Sequence, residues 1–529
     1  MSGSIVCSDL TFAWPDGGFA FDHLDVVLGA GRTGLIGSNG SGKSTLLRLI
    51  AGELRPTSGT VSAHGELAYL PQDLILDSES RVDEVLGVAQ VRRAIAAIES
   101  GDPREEHFAI VGERWDVEQR TRGTLDQLGL RQVPLDAHVG ACSGGELVLL
   151  GLAAQFLREP DVLLLDEPTN NLDQRARAIA HQAIASYDGV LLIASHDREL
   201  LQRMDRMAEL RDGALTCYGG NLTDYEQAVA ADQEAAERSV RAAEQDLKRQ
   251  RRELAEARIK LDRRQRYGRK RWETKREPKV RMRKRAEDAE IAAGKYRNMH
   301  DDKVRQARER LEAAEEAVRD DDEIRIDLPA TEVPARKEVL RLTGVLLRNG
   351  PLVNWEVRGP ERIALVGANG AGKTTLLRTI MGELEPDAGE VRTLVPARYL
   401  PQRLDVLDER MSAVDNVVQA APSATPNAIR AQLARFLLRG ADADRPVGRL
   451  SGGERFRAAL ATLLLAEPAP RLLLLDEPTN NLDAASVRQL AQAMESYAGA
   501  LIVAGHDAEF LREIGTTTRM RLDDELRRC

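Results

Sequence analysis

The sequence contains few aromatic residues, few cysteines and no long apolar run. The last two shortages each exclude a class of protein. The four cysteines stand far apart in 529 residues, so neither a disulfide framework nor a cysteine zinc site is expected. No stretch approaches the ~18 consecutive apolar residues that span a bilayer, and no basic-then-apolar signal segment opens the chain. We therefore expect a cytoplasmic protein, and its length predicts two or three domains.

Lysine is also scarce, which makes its positions informative. Only 11 of the 74 basic residues are lysines, and eight of these lie between Lys248 and Lys303. Lys43 and Lys373 each complete the pattern G-x-x-x-x-G-K-[ST] of a phosphate-binding loop, between an apolar run and a predicted helix. A compact ammonium group suits a point contact to phosphate. The residues expected to bind phosphate are Gly37, Ser38, Asn39, Gly40, Ser41, Gly42, Lys43, Ser44 and Thr45, and Gly367, Ala368, Asn369, Gly370, Ala371, Gly372, Lys373, Thr374 and Thr375.

Two further apolar runs, 162–165 and 472–475, predict buried strands that end in paired acids. The first acid of each pair, Asp166 or Asp476, suits Mg²⁺. The second can orient or deprotonate an attacking water. These second acids are Glu167 and Glu477.

One histidine and one glycine-rich segment complete each of the two sets of motifs. His196 and His506 lie 29 residues after Glu167 and Glu477, where an imidazole could contact a γ-phosphate and hold the water. Each Ser-Gly-Gly-Glu segment precedes a predicted helix, whose free N–H groups can bind an anion. The segments are Ser143, Gly144, Gly145 and Glu146, and Ser451, Gly452, Gly453 and Glu454.

The equal spacings indicate an internal duplication. Gln72 follows Lys43 by 29 residues, and Gln402 follows Lys373 by the same interval. Copy one holds 22 more residues between its glutamine and its Ser-Gly-Gly-Glu segment, which we place within 99–128. We expect an α/β fold in which a helical linker joins two domains with phosphate-binding loops; the predicted limits are 1–222, 223–333 and 334–529.

The linker pattern predicts an antiparallel helical hairpin. Apolar residues at alternating spacings of three and four form one seam over 229–261 and another over 304–318. A break between Gly268 and Pro278 is expected to separate the two helices.

The far end of this hairpin is strongly basic. Between Lys248 and Arg285 there are 19 Lys and Arg against 5 Asp and Glu. Such segregation predicts a polyanionic partner, and Tyr267 and Trp272 could stack on its bases. A solvated charged coil is the alternative.

The motifs and their order along the chain resemble those of the ATP-binding cassette superfamily, and the resemblance covers both copies. The resemblance includes the glutamine loops and the segments Asn171-Leu172-Asp173 and Asn481-Leu482-Asp483. Two cassettes joined by a helical hairpin, without a membrane segment, resemble the ABC-F proteins. Asn171 and Asn481 stand where those proteins usually have His.

The resemblance implies that the cassettes pair head to tail within one monomer and enclose two ATP molecules with Mg²⁺. Trp14 would stack on adenine at site one, whereas copy two has no aromatic at 346–348. The Mg²⁺ ligands would come from Ser44, Gln72 and Asp166, and from Thr374, Gln402 and Asp476. The implied catalytic groups are Gln72, Glu167 and His196 at site one, completed by Ser451–Glu454, and Gln402, Glu477 and His506 at site two, completed by Ser143–Glu146.

The resemblance also implies a ribosomal partner. ABC-F proteins bind near the tRNA exit site, so the linker end around Arg263–Arg285 would approach 23S rRNA and the P-site tRNA. ATP would close the cassettes into the binding form, and hydrolysis would release them.

The ATPase subunit of an exporter and a DNA-repair ATPase are the alternatives. Within ABC-F, the long linker favours protection against ribosome-targeting antibiotics over a general translation role, and both stay open.

Overall fold

The computed structural model describes residues 3–14, 18–72, 77–102, 104–170, 172–211, 213–273, 279–316, 324, 326, 328–348, 350–402, 406–480 and 482–529. For 261, 264, 265, 267–273, 279–294, 296, 297, 316 and 484 it describes the backbone alone. The chain divides into two compact units, Met1–Leu222 with Asp322–Cys529, and Thr223–Asp321. No helix within the described ranges combines the length and apolar character that a bilayer crossing requires.

The first cassette alternates strands and helices, as its apolar patterning predicts. Its elements are β1 (Ser4–Ala13), β2 (Phe19–Leu28), β3 (Gly31–Ile36), α1 (Lys43–Ile50), β4 (Ser58–His64), β5 (Leu67–Leu70), α2 (Val82–Val85), α3 (Ala89–Glu99), α4 (Glu105–Val111), α5 (Val117–Gln127), α6 (Gly144–Phe156), β6 (Val162–Asp166), α7 (Gln174–Ala185), β7 (Val190–Ala194), α8 (Arg198–Leu201), β8 (Arg206–Arg211) and β9 (Ala214–Gly219). The longer helical middle of copy one includes α4 and α5.

The second cassette repeats this succession with a shorter helical middle. Its elements are β10 (Glu338–Leu346), β11 (Leu352–Arg358), β12 (Arg362–Val366), α11 (Lys373–Ile380), β13 (Ala388–Thr393), β14 (Ala397–Leu400), α12 (Ala413–Ala420), α13 (Pro426–Arg435), α14 (Ala441–Asp444), α15 (Gly452–Leu464), β15 (Leu472–Asp476), α16 (Ala484–Ser496), β16 (Ala500–Ala504), α17 (Ala508–Glu513), β17 (Thr518–Leu522) and β18 (Leu526–Arg528).

Each cassette contains an antiparallel sheet and a larger mixed sheet. The antiparallel sheets are ordered β2-β1-β4 and β11-β10-β13, and the mixed sheets β5-β6-β7-β3-β8-β9 and β14-β15-β16-β12-β17-β18. Strands β6, β7, β15 and β16 are buried along their whole length, which is why their sequences are continuous apolar runs. Since neighbouring strands are parallel, their carboxyl ends bring the loops after β3, β6 and β7 to one edge.

In its described residues, the second unit contains two long helices, α9 (Leu222–Glu273) and α10 (Lys279–Glu316). They run antiparallel, because Arg310 lies 3.2 Å from Asp246 and Arg258 lies 3.4 Å from Asp301. Helix α9 continues through Gly268 to Glu273, so the predicted break does not begin at that glycine. A single glycine costs a helix only about 1 kcal/mol, which a long helix tolerates. Residues 274–278, the rest of the predicted break, lie outside the described residues.

The chain after the second unit packs with cassette two. Ile324, Ile326 and Leu328 are buried in the same core cluster as Leu473 and Leu501. The sequence placed these three residues in the linker, and the predicted domain limits stay a prediction.

Candidate nucleotide sites between the cassettes

The phosphate-binding loops turn on glycines with left-handed backbone conformation. Gly40 and Gly42 have φ of 84° and 104°, and Gly370 and Gly372 have φ of 81° and 93°. Helices α1 and α11 begin at the loop lysines, so their unbonded N–H groups face the loop. The structure thus forms two anion-binding helix starts, one in each cassette.

Each loop lysine is buried and closes its own loop. Lys43 Nζ donates to the carbonyl oxygens of Gly37 at 2.8 Å and Ser38 at 3.2 Å. Lys373 Nζ donates to Gly367 at 2.8 Å and to Ala368 at 3.3 Å. Burial lowers the pKa of both lysines.

The first glycine of each loop is needed for close backbone approach. A Cβ at Gly37 would lie 2.4 Å from the carbonyl oxygen of Leu210, and one at Gly367 would lie 2.3 Å from that of Leu522. Both distances are too short for any side chain, so the loops pack directly against β8 and β17.

Glu167 and Glu477 adopt an unusual backbone conformation. Their φ values are 48° and 45°, in a region that costs a non-glycine residue about 1–3 kcal/mol. The backbone N–H of each glutamate donates to the last residue of the neighbouring strand, Ala194 at 2.8 Å and Ala504 at 2.7 Å. These bonds hold the strained turn after β6 and β15, and the same strain recurs in both cassettes.

The histidines lie beside these glutamates. His196 Nε2 is 3.4 Å from Glu167 Oε1, and His506 Nε2 is 3.5 Å from Glu477 Oε1. Lys373 Nζ lies 3.1 Å from His506 Nε2. An ammonium group can only donate, so this imidazole nitrogen accepts and carries no proton.

Burial governs the protonation of these groups. It raises the pKa of Glu167 to about 8 and that of Glu477 to about 7, against the opposing charges of Lys43 and Lys373. It lowers the pKa of His196 to about 3 and that of His506 to about 4. A raised pKa makes the carboxylate a stronger base but leaves a smaller deprotonated fraction near neutral pH, so nearby cations that lower this pKa keep the base available; the histidines are neutral at physiological pH.

The residues expected to bind magnesium supply oxygen ligands. Tyr399 donates its hydroxyl to Asp476 Oδ2 at 3.0 Å. Among the described residues, Asp476 Oδ1 is buried and has no hydrogen-bond partner. A carboxylate oxygen, the Thr374 hydroxyl and the Gln402 amide oxygen match the hard oxygen ligands that Mg²⁺ prefers, so the donor set fits the ion.

The site-two residues of cassette two surround a cavity of about 330 Å³ to which cassette one also contributes. Leu172, in the Asn-Leu-Asp segment of cassette one, lines it. The other lining residues are Ala368, Asn369, Gly370, Gly372, Lys373, Thr374, Thr375, Gln402, Asp476, Glu477, Asn480 and His506.

At site one the two cassettes touch directly. The backbone N–H of Asn39 donates to Asp483 Oδ2 at 2.8 Å. A Cβ at Gly452 would lie 3.6 Å from Asn39 Cβ, so the second Ser-Gly-Gly-Glu segment faces the first phosphate-binding loop. The structure therefore places Gly452, of the segment that the sequence assigned to site one, beside the first phosphate-binding loop.

Comparison with known proteins identifies the family. The profile described as ABC transporter matches residues 22–170 and 352–480. The tylosin resistance ATP-binding protein TlrC of Streptomyces fradiae is 33% identical over 513 residues, covering 90% of this chain and 89% of that protein. The energy-dependent translational throttle protein EttA of Mycobacterium tuberculosis is 30% identical over 509 residues, covering 91% and 84%. The chain belongs to the ABC-F family.

A comparison with solved structures concerns the fold alone. The solved complex of the archaeal ribosomal stalk protein aP1 with the ribosome recycling factor aABCE1 matches at a TM-score of 0.55 and 19% identity, over 98% of this chain and 89% of that chain. The predicted α/β fold with two cassettes is confirmed. The ABC-F chain is an ATPase, as its sequence predicted.

The Ser-Gly-Gly-Glu segments of this ABC-F chain are helix caps. The Glu146 carboxylate accepts the Ser143 N–H at 2.8 Å, and Glu454 accepts the Ser451 N–H at the same distance. Each serine hydroxyl in turn accepts the backbone N–H of the same glutamate, which completes a capping box at the start of α6 and α15. The glutamate carboxylates thus hold the helix start that presents the serine.

The remaining predicted residues are less enclosed. Gln72 is exposed, and Ser44 is half-buried. Trp14 is 41% exposed and packs edge-on against Phe12, with ring centroids 5.1 Å apart. In the described part of the chain, Ser143–Glu146 do not line the site-two cavity, although a Cβ at Gly145 would lie 3.7 Å from Leu172. Asn171 and Asn481 lie outside the described residues.

The sequence analysis did not assign a role to Asp173 and Asp483. Each caps the helix that follows, α7 or α16, by accepting an N–H three residues on, at 2.8 Å. An aspartate before an apolar-periodic helix is a recognisable cap signal. The hydrogen bond between Asn39 and Asp483 could not be recognised from the sequence in this way, because it joins residues from different cassettes.

Proposed function

We propose that this ABC-F ATPase hydrolyses ATP at two sites shared between its cassettes and that, with ATP bound, it acts on the ribosome through its linker. The observation that carries the shared sites is the bond between Asn39 and Asp483 across the two cassettes. Site one combines the cassette-one loop, Glu167 and His196 with Ser451–Glu454. Site two combines the cassette-two loop, Glu477 and His506 with Ser143–Glu146.

The chemistry follows from charge and burial. The loop N–H groups and Lys43 or Lys373 bind phosphate oxygens, and Glu167 or Glu477 orients and deprotonates water beside a neutral histidine. Ser44, Gln72 and Asp166, or Thr374, Gln402 and Asp476, would hold Mg²⁺, which would neutralise phosphate charge. Trp14 stacks on adenine at site one.

The ribosomal partner is supported by relatives and by charge. The two relatives named above are a translational throttle protein and a tylosin resistance protein. The linker carries an excess of 14 positive charges between Lys248 and Arg285, which suits an RNA partner. We propose that the Arg263–Arg285 end contacts 23S rRNA and the P-site tRNA, and that the protein works as a cytoplasmic monomer.

Ribosome pelleting with linker variants tests this function. With a non-hydrolysable ATP analogue at moderate salt, the wild-type chain should pellet with 70S ribosomes, whereas with ADP it should stay in the supernatant. Replacing Arg269, Lys270, Arg271, Lys275 and Arg276 by Ala should abolish pelleting and spare basal ATPase activity. The matched control replaces exposed linker cations away from this end: Arg238, Arg241, Lys303, Arg305 and Arg308. Equal pelleting of both variants would show that the basic end does not carry the contact.

A protective role against antibiotics is the finer proposal. The resistance protein TlrC shares 33% identity with this chain over nearly its whole length, which favours that role. Deletion of the gene should lower the inhibitory concentration of at least one macrolide, lincosamide or pleuromutilin. Unchanged susceptibility to all three classes, with altered translation, would favour a general translation factor.

A further inference from the structure

An asymmetric charge cluster joins the switch segment of site one to the helix that borders site two. Asp197, which directly follows His196, is 9% exposed, and its Oδ2 accepts from His181 Nε2 at 2.7 Å. Arg177 Nε lies 3.7 Å from the same oxygen. Burial alone would raise the pKa of Asp197, but the bond to His181 and the charge of Arg177 outweigh it and hold this pKa below its usual value.

The equivalent positions of cassette two, within the described residues, lack the arginine and histidine of this cluster. From Glu167 to His196 the copies differ by a constant offset, so Val487 and Ala491 stand where cassette one has Arg177 and His181. Neither side chain can bind a carboxylate. Both aspartates cap the helix that follows them: Asp507 accepts the N–H groups of Glu509 and Phe510 at 3.1 and 3.0 Å, and Asp197 accepts that of Leu200 at 3.2 Å. At these matched positions, only cassette one carries the arginine and the histidine.

Arg177 also lies on the helix that follows a residue lining the site-two cavity. Leu172 lines the site-two cavity with Glu477 and His506, and α7 starts two residues later. Arg177 is in the first turn of α7, where its N–H donates to the Asp173 carbonyl at 2.8 Å. Its side chain is only 22% exposed, and among the described residues its Nε has no hydrogen-bond partner.

The charge of Arg177 also contributes to the pKa shifts of two site-two groups in the other cassette. Burial is the main cause that raises the pKa of Glu477, and the charges of Lys373 and Arg177 both oppose it. Burial is also the main cause that lowers the pKa of His506, to which Lys373 and then Arg177 add. The charge of this cassette-one guanidinium therefore opposes the effect of burial on the pKa of Glu477 and adds to it for His506.

A second contact ties the two switch segments together. Arg198, the residue after Asp197, forms an ion pair at 2.6 Å with Glu509, which is three residues after His506. The segment 196–198 therefore contacts α7 on one side and α17 of cassette two on the other.

We propose that Arg177 is a positioning residue for site two, held by Asp197, so that the switch segment of site one controls the charge beside Glu477. When His196 shifts at site one, Asp197 moves with it and changes where the guanidinium rests. Site two then depends on the state of site one. The reverse control of site one by site two is not expected, because Val487 stands at the position of Arg177 in cassette two and carries no charge. The inference rests on the role proposed for Glu477.

Single-turnover hydrolysis of preloaded ATP tests the inference, because it does not require the cassettes to reopen. Glu167→Gln leaves site two competent, and Glu477→Gln leaves site one competent. In the Glu167→Gln background, Arg177→Met should lower the hydrolysis rate on the order of tenfold, the worth of one interaction of a charged group. Nucleotide affinity should stay unchanged. In the Glu477→Gln background the rate should change less than twofold.

Three further variants separate positioning from folding. Arg177→Lys, which keeps the charge, should restore part of the site-two rate. Asp197→Asn, which removes the anchor, should lower that rate as Arg177→Met does. Arg175→Met, an exposed arginine on the same helix, should have no effect at either site. Equal losses at both sites, no loss at site two, or the same loss with Arg175→Met would overturn the proposal. Undiminished site-two hydrolysis in Glu477→Gln alone would instead refute the role of Glu477.

Discussion

Asn39 and Asp483 lie 444 positions apart in the sequence and are joined by a 2.8 Å hydrogen bond across the two cassettes. The donor is a backbone N–H inside the first phosphate-binding loop. The acceptor also caps α16 by accepting the Ser486 N–H. One carboxylate thus links the start of a cassette-two helix to the nucleotide loop of cassette one, so loop geometry and cassette pairing depend on each other.

Replacing Asp483 should separate these two roles. Asp483→Ser keeps a capping hydroxyl but is too short to reach Asn39, whereas Asp483→Ala loses both functions. Both variants should lose site-one turnover on the order of tenfold, since a hydrogen bond to a charged group is worth about 1.5–3 kcal/mol. Only Asp483→Ala should also lose about 1 kcal/mol of unfolding free energy. Wild-type turnover at site one in Asp483→Ser would show that the bond to Asn39 is dispensable.

Gly37→Ala should impair nucleotide binding at site one without unfolding the cassette. The added Cβ would lie 2.4 Å from the Leu210 carbonyl oxygen, so the loop must move. Overpacking of this kind costs about 1–3 kcal/mol, which predicts roughly tenfold weaker binding or more. Titration with a fluorescent ATP analogue measures the change. The control is Gly29→Ala, whose Cβ would meet nothing within 4 Å; equal affinity of the two variants would contradict the close packing.

The sequence predicted the parts of the sites that depend on local patterning. The loop glycines, the buried strands before Asp166 and Asp476, and the capped Ser-Gly-Gly-Glu helices follow from spacing and residue type. Contacts between distant segments were not predictable, because no period or motif marks the pairing of Asp483 with Asn39. Arg177 and His181 belong to this second group: they lie one helical turn apart on α7, where charged residues usually face solvent. The sequence analysis was wrong to start the break between the two linker helices at Gly268. Helix α9 continues past this residue, because a single glycine weakens a helix without ending it.

Trp14→Ala should weaken ATP binding at site one and reduce discrimination against GTP. Stacking of a base on an aromatic side chain is worth about 1–3 kcal/mol, so the affinity for ATP should fall about tenfold. Site two, without an aromatic at 346–348, should not change. Trp115→Ala is the matched control, because Trp115 is also exposed, at 51%, and pairs with another phenylalanine, Phe108. If both variants bind ATP like the wild-type chain, Trp14 does not stack on adenine.

The double variant Glu167→Gln with Glu477→Gln tests the central claim most directly. Removal of both bases should slow hydrolysis by about 10²–10⁴-fold and leave ATP bound at both shared sites. The cassettes should then stay closed, and the chain should pellet with 70S ribosomes in ATP but not in ADP. The exposed Glu113→Gln is the control and should behave like the wild-type chain. A double variant that holds ATP and stays in the supernatant would contradict the link between cassette closure and ribosome binding.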